Sequence, residues 1–287
     1  MTNLPHTGRT IHVRRAFPVL ATMLLLVPLP SSAGAQDLTT ALMEATFRIS
    51  GPMEESSATA AGTVFFLSRP VKAGKPMTVM VTAAHVLTSI AGDSAVLLLR
   101  KRMPDGELRS YEHPVRIRDR GVPLWRGHAD ADADVAVLPL ELPAEAHLSR
   151  IAVDLLATDE VFIRYEIHTG DELLSLGYPF GLPANSAGFP ILRSGKIASY
   201  PLIPAKKHRT FLYDVQAQSG NSGGPVYFIA SSRTYGGSHK VREIGFIAGL
   251  VITQAVVEGR SLGLASVIPA QFIREAIEAL PAAGGQK

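Results

Sequence analysis

The chain of 287 residues contains no cysteine. Disulfide bonds, a cysteine nucleophile and cysteine-ligated metal sites are therefore all excluded. The folded protein must gain its stability from a packed core instead. A chain of this length is long enough for one large β-domain or for two small ones.

Long apolar runs are almost absent. The one that exists, residues 16–29, follows three arginines and precedes the small residues of 31–35. It is too short and too interrupted by proline to span a bilayer comfortably. The pattern predicts a secretory signal peptide in residues 1–35, cleaved after Ala35, and an exported protein in the periplasm or outside the cell. An uncleaved N-terminal membrane anchor is the alternative.

A surplus of charge is also missing once residues 1–35 are set aside. That segment holds three of the 28 basic residues and no acidic residue, so the rest of the chain carries 25 basic and 25 acidic residues. Nucleic-acid binding needs a surplus of lysine and arginine on one face, and nothing in the sequence supports it. With no second long apolar run, no stable membrane insertion is expected after signal cleavage.

Short β-rich runs separated by turn residues fill most of the remaining chain. The predicted strands are 62–67, 77–83, 94–100, 134–140, 172–176, 191–200, 211–215, 225–230 and 244–253. Many short strands at this spacing are typical of an all-β sandwich or barrel. Helical spacing is found in residues 38–47 and, more clearly, in a C-terminal helix that has Pro269 in its first turn and ends at Pro281.

Three segments carry residue types suited to nucleophilic catalysis. Ser222 lies in a glycine-rich turn, residues 218–225, just before an apolar run. His85 closes the apolar strand 77–83, and Asp134 opens another. A serine needs a base to become a nucleophile, and the imidazole needs a carboxylate to orient it. Taken singly, Ser222 could be an ordinary loop serine, His85 a core histidine and Asp134 an exposed turn residue.

Asp130 and Asp132 compete with Asp134 for the orienting role. They lie further from the apolar strand, within the run His-Ala-Asp-Ala-Asp-Ala-Asp at 128–134. Alternation along an extended segment would place these acids on one face, which could recruit a cation. The other interpretation of this run is a solvated loop.

Together the three segments resemble the signature blocks of the trypsin-like serine peptidases. The blocks are Thr-Ala-Ala-His at 82–85, Asp-Val-Ala-Val-Leu at 134–138 and Gly-Asn-Ser-Gly-Gly-Pro at 220–225, in the order of that family. The gaps of 49 and 88 residues between His85, Asp134 and Ser222 are close to the family's usual separation. The resemblance implies that these three residues form a catalytic triad in a serine endopeptidase.

Further stretches resemble the bacterial Htr/Deg-type periplasmic proteases. They are residues 176–181, 193–199, 214–218 and 263–269. The resemblance covers roughly residues 62–280, and the sequence after it does not resemble the peptide-binding (PDZ) module of that group.

The resemblance implies two six-stranded antiparallel β-barrels with a C-terminal helix. The first barrel, 36–156, would carry His85 and Asp134, and the second, 157–287, would carry Ser222. The active site would lie in the cleft between the barrels and act on polypeptide substrates.

The resemblance also assigns roles around the triad. Backbone N–H groups of Gly220 and Ser222 would form the oxyanion hole. Gln216 lies six residues before the nucleophile, where basic-specific members carry aspartate, so a small or medium apolar substrate residue is expected beside Gln216 and Ala217. The segment containing Gly249, Leu250 and Val251 would be the strand edge on which an extended substrate pairs. Neither a metal nor an organic cofactor is required, and the main alternative function is a catalytically silent binding or scaffold protein of the same fold.

Overall fold

The computed structural model describes residues 38–54, 58–71, 74–258 and 260–281. All of them belong to one compact unit, Gln36–Lys287. The predicted signal peptide, residues 1–35, lies outside the described residues.

The first half of the described chain is built on an eight-stranded sheet. Its strands run in the order β5-β4-β1-β2-β3-β9-β8, and β10 pairs in parallel with β2 while the other pairings are antiparallel. Two short strands, β6 and β7, pair only with each other. The bounds are β1 Thr46–Pro52, β2 Thr59–Arg69, β3 Met77–Thr82, β4 Ser94–Arg102, β5 Leu108–Arg116, β6 Arg118–Asp119, β7 Val122–Pro123, β8 Arg126–Gly127, β9 Ala136–Pro139 and β10 Ile151–Ala152.

The second half is a closed six-stranded barrel. Its strands follow the order β11-β12-β13-β16-β15-β14, with every pairing antiparallel. The bounds are β11 Glu172–Gly177, β12 Ile191–Ile197, β13 Phe211–Asp214, β14 Pro225–Tyr235, β15 Ser238–Val257 and β16 Arg260–Pro269.

Four short α-helices flank the sheets. They are α1 Leu38–Ala45, α2 Ala84–Thr88, α3 Asp159–Arg164 and α4 Ala270–Glu278. Within the described residues, every helix falls short of the length and apolarity that a bilayer span requires. The terminal helix α4 buries Phe272, Ile273 and Ile277 in the same core as the first sheet, so the end of the chain packs back onto the first half.

The predicted all-β, trypsin-like architecture with a C-terminal helix is confirmed. Two details differ from the prediction. The first half is an eight-stranded sheet rather than a six-stranded barrel. Pro269 precedes the terminal helix as its N-cap rather than lying in its first turn. The predicted division near Leu156 falls between the last strand of the first sheet and the first strand of the barrel, and it stays a prediction.

Candidate active site

Strand pairing brings His85 and Asp134 together. Strand β3 runs antiparallel to β9, with Thr82 opposite Ala136. Continuing this register by two residues places Asp134 opposite Ala84, directly beside His85. The flanking Val81 and Val137 are fully buried and pair with each other, so the apolar parts of both strands fix the register.

Asp134 holds His85 through both carboxylate oxygens. Oδ2 lies 2.5 Å from His85 Nδ1, and Oδ1 accepts the backbone N–H of His85 at 2.9 Å. Burial raises the pKa of Asp134, but the hydrogen bonds from His85, its charge and the backbone N–H of Ala84 outweigh burial and hold the pKa below its ordinary value. An ionised carboxylate can only accept. When the ring carries a single proton, that proton therefore lies on Nδ1, and Nε2 is the ring nitrogen left without one.

The turn that carries Ser222 comes from the second half and packs against the first. The Ser222 carbonyl accepts the N–H of Thr63 at 2.9 Å, and the Gly220 carbonyl accepts the Thr63 hydroxyl at 2.7 Å. Thr63 is fully buried in β2 and its own carbonyl accepts the Thr82 hydroxyl at 2.7 Å. Sequence reasoning missed Thr63. A threonine inside a buried strand is a detectable signal, because its hydroxyl needs a partner there.

Two backbone N–H groups of this turn face no protein acceptor. Within the described residues, neither Gly220 N–H nor Ser222 N–H donates a hydrogen bond, whereas the intervening Asn221 N–H donates to the Gln218 carbonyl at 3.0 Å. Unpaired N–H groups two residues apart can converge on one negatively charged oxygen. These are the two donors that the sequence predicted for an oxyanion hole.

The Ser222 hydroxyl does not contact His85 in this structure. Its Oγ donates to the Ile252 carbonyl at 3.0 Å, and no Ser222–His85 hydrogen bond is present between these described residues. The structure thus joins His85 to Asp134 and holds Ser222 in the turn beside them. A hydroxyl has one hydrogen to donate, so it must leave the Ile252 carbonyl before it can donate to another acceptor.

The predicted free strand edge at Gly249, Leu250 and Val251 has to be corrected. Each of these residues pairs with β16 on one side, and on the other they face β14 or the turn before it. Their position inside a closed barrel leaves no unpaired backbone for an extended substrate. Beyond Val251 the described part of β15 is paired on the β16 side only, so the open edge begins at Ile252.

Gln216 and Ala217 lie on the segment that leads into the turn. Gln216 is exposed, and its carbonyl accepts Arg193 Nη1 at 3.2 Å. Ala217 is buried and lines a small cavity of about 10 Å³ together with Arg193 and Asn221. The Arg193 guanidinium thus lies beside this segment, and the side chain at position 216 is uncharged.

The acidic run at 128–134 has no metal-like geometry. Within the described residues, no group of three or more histidine and acidic side chains is placed to hold a metal ion. Asp130 and Asp132 instead form ion pairs with Arg209. The cation that these acids recruit is therefore an arginine of the same chain.

The family model described as the trypsin-like peptidase domain matches residues 60–234, more than half of the chain. No match is found among curated protein sequences.

Among solved structures, the chain is similar to a serine endoprotease from Yersinia pestis, with 17% identity and a TM-score of 0.47 over 83% of this chain and 63% of that one. This chain therefore spans less than two thirds of the length of the Yersinia pestis protein. It is similar to the active form of the Rv3671c protease from M. tuberculosis, with 17% identity and a TM-score of 0.47 over 100% of this chain and 97% of that one. It is also similar to the protease Anisep from Arthrobacter nicotinovorans, with 11% identity and a TM-score of 0.46 over 83% of this chain and 98% of that one.

Proposed function

Because the chain belongs to the trypsin-like peptidase family, we propose that it is an exported serine endopeptidase with Ser222, His85 and Asp134 as its catalytic triad. The observation that carries this proposal is the two-point bond between Asp134 and His85 beside the Ser222 turn. The residues 36–156 and 157–287 are the proposed domains, with the site between them. Export is proposed from the signal-like pattern of residues 1–35.

The proposed reaction begins with a rotation of the Ser222 side chain. Its hydroxyl leaves the Ile252 carbonyl and donates to Nε2 of His85, the ring atom that the Nδ1–Asp134 bond leaves unprotonated. Ser222 Oγ then attacks a substrate carbonyl as Nε2 takes the proton. The same proton passes to the leaving amine, and the acyl-enzyme is hydrolysed by a water that His85 deprotonates. Asp134 stabilises the imidazolium that forms between these steps.

The oxyanion of the tetrahedral intermediate would bind the N–H groups of Gly220 and Ser222. The peptide units that carry both donors are already held, since the Ser219 carbonyl accepts the N–H of Phe180 at 2.6 Å and the Asn221 carbonyl accepts the N–H of Gly224 at 3.0 Å. Preorganised donors of this kind contribute about 3–4 kcal/mol to the transition state each.

We expect Gly220→Ala to lower kcat by about 10²- to 10³-fold, the usual effect of losing one oxyanion donor. Gly220 has a φ of +94°, and a Cβ placed there would lie 2.2 Å from the Tyr178 carbonyl oxygen. The turn must therefore shift to accept a methyl group, and its N–H shifts with it. Steady-state hydrolysis of a peptide substrate by the two proteins measures the effect.

Gly237→Ala is the matched control. Gly237 also has a positive φ, +72°, but a Cβ there meets nothing within 4 Å. Both variants force a side chain into the left-handed region, and only the first displaces the candidate oxyanion donor. Equal losses of kcat in the two variants would show that backbone strain, and not the oxyanion hole, explains the result.

The silent binding or scaffold protein remains the second candidate, because the Ser222 hydroxyl bonds to Ile252 and not to His85. Catalytic hydrogen bonds are often loose or misaligned before substrate binds, so this geometry does not decide against catalysis. Incubation of residues 36–287 with a peptide library, followed by mass spectrometry of the products, separates the two functions. The endopeptidase yields internal cleavages, with few after lysine or arginine, whereas the scaffold leaves the library intact.

A further inference from the structure

The loop that delivers Asp134 connects β8 to β9. It spans residues 128–135 and carries His128 and three aspartates. Within the loop, the Ala133 N–H donates to the Asp130 carbonyl at 3.0 Å, and the Asp132 N–H donates to Asp130 Oδ1 at 3.1 Å. The turn built around Asp130 therefore ends immediately before Asp134.

Arg209, from the second half of the molecule, forms ion pairs with this turn. It lies in the segment between β12 and β13. Its Nη1 lies 3.0 Å from Asp130 Oδ1 and 2.6 Å from Asp132 Oδ2, and its Nη2 lies 2.8 Å from Asp130 Oδ2. The planar fork of arginine matches carboxylates in such a two-point contact, which fixes direction as well as distance.

A second contact from the same half holds the start of the loop. His128 Nδ1 accepts the Asp130 N–H at 2.9 Å, so the ring proton is on Nε2, which bonds Glu275 Oε2 of α4 at 3.0 Å. Phe272 of α4 packs edge-on against the His128 ring at 5.2 Å between centroids. The loop is thus held at its start by α4 and further along, at Asp130 and Asp132, by Arg209.

We propose that Arg209 is a positioning residue for peptide hydrolysis, acting through Asp130 and Asp132 to aim the Asp134 carboxylate at His85. This inference rests on the proposed function. Asp134 must present one oxygen to Nδ1 and the other to the His85 N–H at the same time. Without Arg209, the carboxylates of Asp130, Asp132 and Asp134 would lie close together with no cation between them. Their mutual repulsion would displace the loop.

The expected effect is on turnover rather than on stability. Arg209 is 43% exposed and Asp132 is 83% exposed, and exposed ion pairs contribute little to unfolding free energy. A small displacement of a catalytic group, in contrast, costs up to roughly 100-fold in rate.

We expect Arg209→Ala to lower kcat by roughly 10- to 100-fold, with KM and the melting temperature close to native. Rates are divided by the concentration of active sites, titrated with a fluorophosphonate. Arg209→Lys keeps the charge and should recover part of the lost kcat. Asp132→Asn combined with Arg209→Ala should be no slower than Arg209→Ala alone, since both changes break the same contact.

Arg109→Ala is the matched control. Arg109 also pairs with two carboxylates, Asp105 and Glu107, and is 56% exposed, but it lies on the edge strand β5. Its replacement should leave kcat native. A native kcat in Arg209→Ala, or an equal loss in Arg109→Ala, overturns the inference, and so does a loss that only follows a lower melting temperature. If Ser222→Ala abolishes turnover while Arg209→Ala is native, the inference alone fails; if the native protein cleaves nothing, the proposed function itself fails.

Discussion

Ser222→Ala and His85→Ala should each lower kcat by roughly 10⁶-fold, and the double variant should be hardly slower than either single variant. In the proposed mechanism the hydroxyl and the imidazole act in one step, because Nε2 takes the proton as Oγ attacks. Removing either partner removes that step, so the second substitution has nothing further to remove. The measurement is kcat for a peptide substrate in the native protein, the two single variants and the double variant.

Ser219→Ala provides the control for this experiment. Ser219 lies in the same turn, but it is exposed, and its backbone carbonyl, which the substitution keeps, accepts the N–H of Phe180. This variant should retain a nearly native kcat. Two losses that multiply in the double variant would mean that Ser222 and His85 do not share a step.

Arg100→Ala should lower the free energy of unfolding by about 3 kcal/mol or more. Arg100 is fully buried in β4. Its guanidinium donates to the carbonyls of Met43, Glu44, Thr46 and Gly188. Each buried acceptor left without a donor costs about 1–3 kcal/mol, and Tyr178 can replace only part of this set through its own bonds to Thr46 and Gly188.

The packing of the Arg100 side chain adds to the expected loss of unfolding free energy. The guanidinium lies between the rings of Phe47 and Phe189, at 4.0 and 4.3 Å from their centroids. Burial lowers the pKa of Arg100, with Tyr178 opposing it, yet an arginine remains charged at neutral pH. Chemical denaturation measures the free energy of unfolding of the native protein, of Arg100→Ala and of the control variant Arg102→Ala. Arg102 is the exposed arginine two positions further along β4, and its replacement should change the unfolding free energy by less than about 0.5 kcal/mol. Equal effects would contradict the assigned role of Arg100.

Much of the fold can be predicted from the sequence, because apolar residues mark the strands that are buried. All nine predicted strands overlap observed ones. Three longer strands were missed, β1, β5 and β16. Of these, β5 is an edge strand that faces water and carries mostly polar and charged residues. The other two are paired on both sides, but their apolar residues are interrupted by glycine and polar residues. The predicted helix at 38–47 ends at Ala45, and β1 begins at the next residue, Thr46.

Other features depend on contacts that are remote in sequence. The run Leu97-Leu98-Leu99-Arg100 suggests a strand that ends in a solvated arginine, but the carbonyls that satisfy Arg100 come from residues 43–46 and 188. The strand edge was misplaced for a similar reason. A strand paired on both sides and one with a free edge are equally apolar, so the sequence of Gly249, Leu250 and Val251 could not show that β14 and β16 enclose them.

The candidate site has some features that apolar strands make predictable and others that depend on remote contacts. Apolar strands on either side of His85 and Asp134 made their approach predictable once the resemblance suggested that they pair. Two other features depend on side-chain geometry, which residue spacing does not encode. They are the direction of the Ser222 hydroxyl and the ion pair between Arg209 and Asp130. Thr63 is recognisable in the sequence as a threonine within an apolar strand, but its bonds to Gly220 and Ser222 depend on contacts remote in sequence.

The most direct test of the account is to identify the residue that a fluorophosphonate modifies. This reagent forms a covalent bond with an activated serine hydroxyl. The native protein should carry one label, located by mass spectrometry on Ser222, and His85→Ala should lose nearly all of the labelling because Ser222 then lacks its base. A native protein that stays unlabelled, or one labelled at another residue at the same rate in His85→Ala, would contradict the assignment of Ser222 as the nucleophile.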